Sequence, residues 1–372
     1  MELDFSTGVN VIAGANASGK TSVLEALASV LSLVVNPSQT NDLDDADTDE
    51  AKHRKSLPAK VCASVSIGNR EFAFRQERLS AVSKQTWSLP SMVDIGSAPV
   101  LAAYYRAHRD QVSRQSKSEE DDCLDARLDD EKVRSWLAGK NESPISSADA
   151  FHRLKILQTV LRTALNDDSL TLSITDDGTE IVIQTKEGAH LWRHSGSGEH
   201  ALIGLFADLT HRACSLYPNM EVNAPTEVSG VVLIDEIEAH LHPIWQRKLI
   251  VGLRKAFPKM QFIATTHSPI VLGEVPATHI HLLYEGYVAQ PEASLGCTSD
   301  EILVKLMRAS EINLEFQKKV DEIYELIDRD RLEEAENLLS AVNQQYGETE
   351  TAQKLGALLR FEQECEDEDE AL

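Results

Sequence analysis

The chain has 372 residues, of which 42% are hydrophobic, and its formal net charge at pH 7 is −24. This apolar share excludes a wholly disordered chain and can fill the core of one large domain or two smaller ones. The excess of acid argues against a surface that grips nucleic acid as a whole, since phosphate binding needs Lys and Arg, but it leaves room for a local basic patch.

The N-terminus and the cysteines indicate the compartment. The chain opens with Glu2 and Asp4 and has no basic segment there, so no signal peptide is predicted. The longest apolar stretch, residues 23–35, is interrupted by polar residues and is shorter than the roughly 18 residues of a membrane span. The five cysteines lie far apart without a CxxC pair, which favours reduced thiols. We therefore expect a cytoplasmic protein that does not enter a membrane.

Strand and helix patterns alternate along residues 8–285, which predicts an α/β body with a mostly parallel sheet. Two pairs of short strands with turn residues between them, at 61–74 and 170–185, predict β-hairpins. The other expected elements are strands at 8–13, 100–105, 230–234 and 260–265 and helices at 20–33, 148–166, 199–214 and 244–257.

Beyond residue 298 the pattern is helical throughout. The expected helices are 299–309, 311–329, 331–344 and 349–364. The second of them should have one apolar face, because apolar residues recur there at helical spacing. These residues are Ile312, Phe316, Val320, Ile323 and Ile327. We therefore divide the chain into a body at 1–290, an α-helical C-terminal region at 291–361 and an acidic tail at 362–372.

Three acidic runs carry most of the net charge. Residues 42–50, 119–131 and 362–370 contain six, eight and seven acidic side chains, with Arg127 as the only base. The rest of the chain is nearly neutral. Such runs are usually solvated. We therefore predict two mobile insertions, at about 36–58 and 112–147, and a mobile tail.

Residues 14–21 read GANASGKT and fit the pattern G-x-x-x-x-G-K-[ST] in full, between a predicted strand and a predicted helix. Glycines let backbone N–H groups point at phosphate oxygens, and the helix adds the positive end of its dipole. Lys20 can reach the β- and γ-phosphates, and the Thr21 hydroxyl can bind Mg²⁺. The phosphate-binding residues that we expect are Asn16, Ala17, Ser18, Gly19, Lys20, Thr21 and Ser22.

Two other predicted strands end in residues that can carry chemistry. The strand at 230–234 is followed by Asp235, which can hold Mg²⁺, and by Glu236, which can polarise an attacking water as a general base. The strand at 260–265 is followed by His267, which could sense the γ-phosphate or orient the water. Each residue alone also fits a structural role. Together, on neighbouring strands, they favour one catalytic edge of the sheet.

A Ser/Gly turn, HSGSGE at residues 194–199, precedes the predicted helix at 199–214. Such a turn at a helix N-terminus can bind an anion. It fits an ordinary helix N-cap equally well, and taken alone it favours the cap. The candidate residues in this turn are Ser195, Gly196, Ser197 and Gly198.

These four elements, in this order, resemble the ABC-type ATPase heads of the SMC and RecF group. In that resemblance the loop at 14–21 corresponds to the Walker A motif, and Asp235 and Glu236 correspond to Walker B and its catalytic Glu. The Ser/Gly turn corresponds to the signature motif and His267 to the switch histidine. The resemblance thus implies a P-loop NTPase head of the ABC type.

A closer resemblance is to the bacterial predicted ATP-binding proteins, whose relatives include ATPases of the Septu and retron-associated anti-phage systems. Residues 233–247, LIDEIEAHLHPIWQR, and residues 261–269, QFIATTHSP, carry it. The resemblance covers about residues 3–285, and the helical C-terminal region resembles those proteins more loosely. Heads of this kind usually begin with a strand that would lie before Leu3.

The resemblance implies ATP and Mg²⁺ as ligands and a homodimer or a higher even oligomer. Two heads would sandwich two ATP molecules head to tail, with the Ser/Gly turn of one head facing the P-loop of the other. The segment Glu238–Pro243 would lie at that interface. Glu236, His267 and Lys20 would be catalytic, and Thr21 and Asp235 would bind the metal.

The sequence departs from the family pattern at two places. Gly196 stands where the family has the signature Ser, so Ser195 or Ser197 would have to take that part. In the family a Gln usually follows the strand at 100–105 and contacts Mg²⁺. This chain has a Tyr-Tyr-Arg segment there, which puts that contact with Mg²⁺ in doubt.

Three functions fit the sequence. The first is an ATPase that acts as the switch or sensor subunit of a bacterial anti-phage defence complex and controls a partner effector, a nuclease or a toxin. It is favoured because the chain has no HNH-like Cys/His cluster and little room for a second catalytic domain. The second is a RecF/SMC-like DNA-repair ATPase that binds nucleic acid, and the third is an ATP-bound scaffold with little turnover. The basic residues behind the second are Arg247, Lys248, Arg254, Lys255 and Lys259, for which a solvated helix face is the simpler explanation.

Overall fold

The computed structural model describes most of the chain in two compact units, Met1–Ile302 and Leu303–Leu372. The described residues are 2–35, 59–67, 70–78, 86–88, 100–107, 133, 135–137, 147–175, 180–218, 220–284, 287–307, 314–329 and 331–370. The acidic runs at 42–50 and 119–131 lie outside them, so the predicted mobility of these runs stays a prediction. Within the second predicted insertion, however, Val133, Trp136 and Leu137 are buried, and Arg153 Nη1 donates to the Trp136 carbonyl oxygen at 2.7 Å, so this part of it is packed.

Strands and helices alternate in the first unit, as predicted. The described strands are β1 (Gly8–Gly14), β2 (Ala59–Ile67), β3 (Arg70–Arg78), β4 (Thr86–Ser88), β5 (Leu101–Tyr105), β6 (Thr171–Ile174), β7 (Ile181–Thr185), β8 (Gly188–Leu191), β9 (Gly230–Ile234), β10 (Met260–Thr266), β11 (Ile280–Tyr284) and β12 (Tyr287–Ala289). The described α-helices are α1 (Lys20–Val35), α2 (Ser147–Leu165), α3 (Ser197–Leu216), α4 (Ala224–Glu227), α5 (Pro243–Ala256), α6 (Pro269–Leu272), α7 (Ser299–Lys305), α8 (Leu314–Asp328), α9 (Leu332–Tyr346) and α10 (Glu350–Glu370).

Within the described ranges the main sheet has six strands in the order β12-β11-β1-β10-β9-β5. All neighbouring pairs are parallel except β11 and β12, which are antiparallel, so the sheet is mixed. The strand that precedes the P-loop therefore lies beside the strand that precedes His267, and that strand lies beside the one that precedes Asp235. This confirms the predicted α/β class with a mostly parallel sheet.

Both predicted hairpins are present. β2 pairs antiparallel with β3, and β6 pairs antiparallel with β7. Each hairpin has a third, short strand that the sequence did not predict, β4 in one sheet and β8 in the other. The turn residues expected at 68–69 and 176–178 lie outside the described residues.

The central strands are apolar because helices cover both faces of the sheet. On one face α1 packs through Leu24 against Ile12, Leu233 and Ile263. On the other face Phe262 contacts the ring of Phe257, which follows α5, and Phe257 in turn stacks on Phe206 of α3. The strand ends are thus held in place from two sides. None of the helices in the described residues combines the length and the apolar character that crossing a membrane requires.

In the second unit, α8, α9 and α10 share one core. Its buried residues are Phe316, Val320, Ile323, Leu332, Ala335, Leu339, Val342, Ala352, Leu355 and Leu359. The predicted apolar face of α8 is confirmed for its described residues, and Ile312 lies outside them. The last helix is longer than predicted and runs to Glu370, so the acidic run at 362–370 continues the helix rather than following it.

The second unit begins later than the helical region predicted from the sequence, at Leu303 instead of residue 291. Residues before it are bonded to the first unit. Ser294 Oγ donates to the carbonyl oxygen of Val275 at 2.6 Å, and the Gly296 N–H donates to the carbonyl oxygen of Gly273 at 3.1 Å. These long-range bonds leave no trace in the local sequence pattern.

Candidate functional site

The P-loop connects β1 to α1 and is shaped by close backbone contacts. A Cβ atom on Gly14 would lie 2.4 Å from the carbonyl oxygen of Leu283, so only glycine fits there. Gly19 has a φ of +97°, in the region that favours glycine, and Ala17 adopts a positive φ of 62°. This backbone is curled as an anion cradle requires.

Lys20 is buried in this loop, with 6% of its surface exposed. Its Nζ donates to the carbonyl oxygens of Gly14 at 3.0 Å and Ala15 at 2.9 Å. Burial lowers the pKa of Lys20 from its ordinary value, and the carboxylates of Asp235, Glu236 and the nearby Glu238 oppose this shift. A phosphate group would add negative charge beside the ammonium and would favour its charged form further.

Thr21 and Asp235 meet where α1 begins and β9 ends. The Thr21 hydroxyl donates to Asp235 Oδ2 at 3.1 Å, and the hydroxyl of Thr265, in β10, donates to Asp235 Oδ1 at 2.5 Å. Asp235 is 5% exposed. The structure therefore brings the P-loop helix and the carboxyl ends of two neighbouring strands to one point.

The residues at this point fit Mg²⁺. A hydroxyl and a carboxylate supply the hard oxygen ligands that this ion prefers, and Mg²⁺ usually takes only one or two carboxylates from a protein. Within the described residues, the hydroxyls of Ser18 and Tyr104 are buried without a hydrogen-bond partner. Buried polar groups normally have partners. Ser18 lies in the P-loop itself, so a bound nucleotide with its ion could supply the missing partner there.

Glu236 and His267 follow the same two strands. Register pairs Leu233 with Ile263 and Ile234 with Ala264, so both residues lie beyond one edge of the sheet. Glu236 is exposed and has a positive φ of 47°, a conformation that costs energy for a residue with a side chain. Its N–H donates to the Thr265 hydroxyl at 2.8 Å, which holds this turn.

Sequence reasoning missed three residues of this edge. Thr265 bonds both Asp235 and Glu236, as described above. Glu238 accepts hydrogen bonds from the Thr266 hydroxyl at 2.7 Å and from the His267 N–H at 2.5 Å. Gln246 accepts one from the Ser268 hydroxyl at 2.6 Å. The repeated polar residues after each strand were a signal, but the partners are more than twenty positions apart and only the fold pairs them.

The Ser/Gly turn contacts the segment Glu238–Pro243 of the same chain. Gly196 is the N-cap of α3 and gives it no side-chain cap, and Ser195 Oγ is hydrogen-bonded to His190 Nε2 at 3.1 Å. A Cβ on Gly198 would lie 3.0 Å from the carbonyl oxygen of His240. Residues 196–199 and 240–242 with Trp245 line a cleft of about 480 Å³. The turn and the segment therefore form one surface.

The segment that replaces the expected Gln lies at the end of β5, beside β9. The backbone carbonyl of Tyr105 accepts a hydrogen bond from the Asp235 N–H at 2.8 Å. The Tyr105 hydroxyl donates to Asp208 Oδ2 at 2.5 Å, and Arg212 Nε donates to the same oxygen at 2.8 Å. Burial raises the pKa of Tyr104, and the charge of Asp235 adds to the rise, so its hydroxyl stays protonated.

Two of the five basic residues near α5 contact other side chains of the chain. Lys259 forms an ion pair with Glu227 at 2.6 Å, and Lys248 Nζ lies 4.8 Å from the centre of the Trp245 ring. Arg254 and Lys255 occupy the last turn of α5, where positive charge complements the helix dipole. These positions fit a solvated helix face, and nucleic-acid binding by this helix stays a hypothesis.

Comparisons with known proteins agree with this geometry. A family model described as "AAA domain, putative AbiEii toxin, Type IV TA system" matches residues 86–273, and a second, described as "AAA domain", matches residues 1–160. The chain is 30% identical over 253 residues to the Retron Ec83 probable ATPase of Escherichia coli, covering 62% of this chain and 44% of that protein. It is 26% identical over 357 residues to the Septu protein PtuA of Bacillus thuringiensis, covering 87% of this chain and 86% of that protein.

Among solved structures, the chain is similar to the SMC head domain from Thermotoga maritima. The identity is 17% and the TM-score 0.44, over 78% of this chain and 91% of that one. The matched part of the chain spans less than half the length of the retron ATPase. The family models and relatives confirm the resemblance predicted from the sequence.

Proposed function

This chain belongs to the AAA-domain family described as "AAA domain, putative AbiEii toxin, Type IV TA system", and we propose that it binds and hydrolyses ATP as an ABC-type head. The observation that carries the proposal is the 3.1 Å contact between the Thr21 hydroxyl of the P-loop helix and the Asp235 carboxylate. It joins the phosphate cradle to the strand end from which Glu236 follows. This is the arrangement that phosphoryl transfer to water needs.

In this proposal the N–H groups of residues 15–20 and the Lys20 ammonium bind the β- and γ-phosphates. Thr21 and Asp235 hold Mg²⁺, which, when bound, neutralises charge that develops on the phosphate oxygens. Glu236 takes the proton of the attacking water. His267 donates a hydrogen bond to the γ-phosphate and so distinguishes ATP from ADP.

The second part of the proposal is a head-to-tail homodimer. The surface formed by the Ser/Gly turn and the segment Glu238–Pro243 is the part of one head that would face the P-loop of the other. Its support is that the two segments pack together, with Gly198 against the His240 carbonyl. ATP bound between two heads would hold them closed, and hydrolysis would release them.

The third part is the biological role. We propose that the ATPase is a switch or sensor subunit of a bacterial anti-phage defence complex and controls a partner effector, a nuclease or a toxin. The support is its similarity to a protein named for a retron and to one named for Septu.

Phosphate release from purified protein tests the enzymatic part. We expect Mg²⁺-dependent turnover, and we expect Glu236→Gln to lower kcat by about 100-fold or more, since a positioned general base contributes about that factor. ATP binding should be kept, because Gln fills the same space and the phosphate contacts are elsewhere. The variant should therefore elute as a dimer with ATP.

An equal, very low rate in wild type and Glu236→Gln would contradict hydrolysis and would favour the ATP-bound scaffold. The same variant also tests the biological role in a plaque assay, in cells that carry the neighbouring genes. Loss of protection with Glu236→Gln supports the switch. Protection by the chain without any neighbouring gene would contradict control of a partner effector.

A further inference from the structure

Glu238 connects the segment Glu238–Pro243 to the strand end that carries His267. Its Oε1 accepts a hydrogen bond from the His267 N–H at 2.5 Å, and its Oε2 accepts one from the Thr266 hydroxyl at 2.7 Å. We propose that Glu238 is a positioning residue that acts through His267 and couples this histidine to the dimer-contact segment. The inference rests on the proposed function, because it gives His267 a part in hydrolysis.

The contact uses both carboxylate oxygens, and its neighbours fix it further. The Thr266 hydroxyl also accepts a hydrogen bond from the Ser268 N–H at 2.9 Å, so its proton is left to point at Glu238. The Ser268 hydroxyl donates to Gln246 Oε1, and Gln246 Nε2 donates to the Leu241 carbonyl at 2.9 Å. The residues on both sides of His267 are therefore hydrogen-bonded to the segment, Thr266 directly through Glu238 and Ser268 through Gln246. Hydrogen bonds to a carboxylate are about twice as strong as neutral ones.

Short-range hydrogen bonds tie the backbone of the segment together. The Ala239 N–H donates to the Glu236 carbonyl at 2.8 Å, and the Leu241 N–H donates to the Glu238 carbonyl at 2.9 Å. His240 has a positive φ of 64°, a left-handed conformation that residues with a side chain adopt infrequently. A partner that presses on His240 or on the Ser/Gly turn would thus displace Glu238, and Glu238 would displace the His267 backbone.

Glu238 also has an electrostatic effect that the test must separate from positioning. Its negative charge is one of three that raise the pKa of Lys20 against the effect of burial. Glu238→Gln removes the charge but keeps the shape, and its amide can still accept from the His267 N–H and donate to the Thr266 hydroxyl. Glu238→Ala removes both the charge and the hydrogen bonds. Comparing the two variants isolates the hydrogen bonds.

The experiment measures kcat and KM for ATP in the full chain. The variants are Glu238→Ala, Glu238→Gln, His267→Ala, the Glu238→Ala/His267→Ala double variant and, as a control, Glu187→Ala, which removes an exposed carboxylate in the turn between β7 and β8. We expect Glu238→Ala to lower kcat about 10-fold or more with KM within about twofold, a coupling in the range known for contacting residues. Glu238→Gln should restore most of kcat.

The double variant decides between positioning and an independent effect. If Glu238 acts through His267, adding Glu238→Ala to His267→Ala lowers kcat by less than about twofold further. If the two losses multiply, or if Glu238→Ala keeps the wild-type kcat, the inference is overturned. A variant that misfolds would show a lowered melting temperature, and the Glu238→Gln result then decides. A wild-type chain without turnover would contradict the proposed function itself, a different result from turnover that ignores Glu238.

Discussion

β5 ends in two adjacent buried tyrosines, and they differ in whether the hydroxyl group is hydrogen-bonded. The Tyr105 hydroxyl donates to Asp208, which also accepts from Arg212, so this buried carboxylate is paired. The Tyr104 hydroxyl is buried at the opposite face of the sheet and, in the described residues, has no hydrogen-bond partner. A hydrogen bond contributes about 1 kcal/mol to the free energy of unfolding. A buried polar group without a hydrogen-bond partner lowers that free energy by about 1–3 kcal/mol.

Removing each hydroxyl should therefore change stability in opposite directions. We expect Tyr104→Phe to raise the free energy of unfolding of the ligand-free protein by about 1 kcal/mol and Tyr105→Phe to lower it by about 1–2 kcal/mol. Urea unfolding followed by tryptophan fluorescence measures both. Each variant is the control for the other, because both remove a tyrosine hydroxyl group and the two residues are adjacent.

A loss of stability with Tyr104→Phe would show that its hydroxyl has a partner in solution. Repeating the measurement with ATP and Mg²⁺ tests whether the Tyr104 hydroxyl contributes to the nucleotide site. If the hydroxyl serves the nucleotide site, Tyr104→Phe should gain less stability from the ligand than wild type does.

At the scale of elements, α5 and α2 approach each other at Gly252. A Cβ there would lie 2.9 Å from the Ala164 carbonyl oxygen and 3.0 Å from the Phe206 ring, so a backbone atom and a core ring block it. Gly356 of α10 is also a glycine inside a helix, but a Cβ there would lie 3.6 Å from Leu339 Cδ2, which is an ordinary contact. The same substitution meets opposite surroundings in the two helices.

We expect Gly252→Ala to lower the free energy of unfolding of the first unit by about 1–3 kcal/mol, because the helices must separate. Gly356→Ala should stabilise the second unit by about 0.5–1 kcal/mol, because alanine favours the helix and fits the space. Hydrogen exchange of the two units measures both effects. Unchanged protection in Gly252→Ala would mean that α5 can shift without loss.

Most elements were predictable from the sequence, because their apolar periodicity is local. β9 was predicted with its final bounds, and α5 was shifted by one residue at each end. β4, β8, β11 and β12 were not predicted, and the three or four residues of β4, β8 and β12 carry little pattern. The P-loop was predictable because phosphate binding fixes its spacing within eight positions.

Contacts across the fold were not predictable in the same way. Thr265 lies 30 positions from Asp235, and Glu238 lies 29 positions from His267, so no spacing rule connects them. The contact of Gly198 with the His240 carbonyl depends on how α3 packs, which local pattern does not fix. The sequence therefore predicts which residues end each strand, and the sheet order decides which of them meet.

The whole molecule consists of two compact units, whose unfolding can be followed by different spectroscopic signals. All four tryptophans, Trp87, Trp136, Trp192 and Trp245, lie in the first unit, Met1–Ile302. The second unit, Leu303–Leu372, has its own core between α8, α9 and α10 and no tryptophan. Fluorescence therefore reports the first unit alone, while far-UV circular dichroism reports both.

Ile323 is fully buried in the core of the second unit, whereas its neighbour Tyr324 is 44% exposed. We expect Ile323→Ala to lower the free energy of unfolding of the second unit by about 2–4 kcal/mol, the cost of a cavity at a buried aliphatic side chain. The part of the helical signal that comes from the second unit should then be lost at lower urea than the fluorescence signal. Tyr324→Ala is the control and should leave both transitions within about 0.5 kcal/mol of wild type. Equal shifts of both signals in Ile323→Ala would contradict separate unfolding, because the units would then behave as one cooperative body.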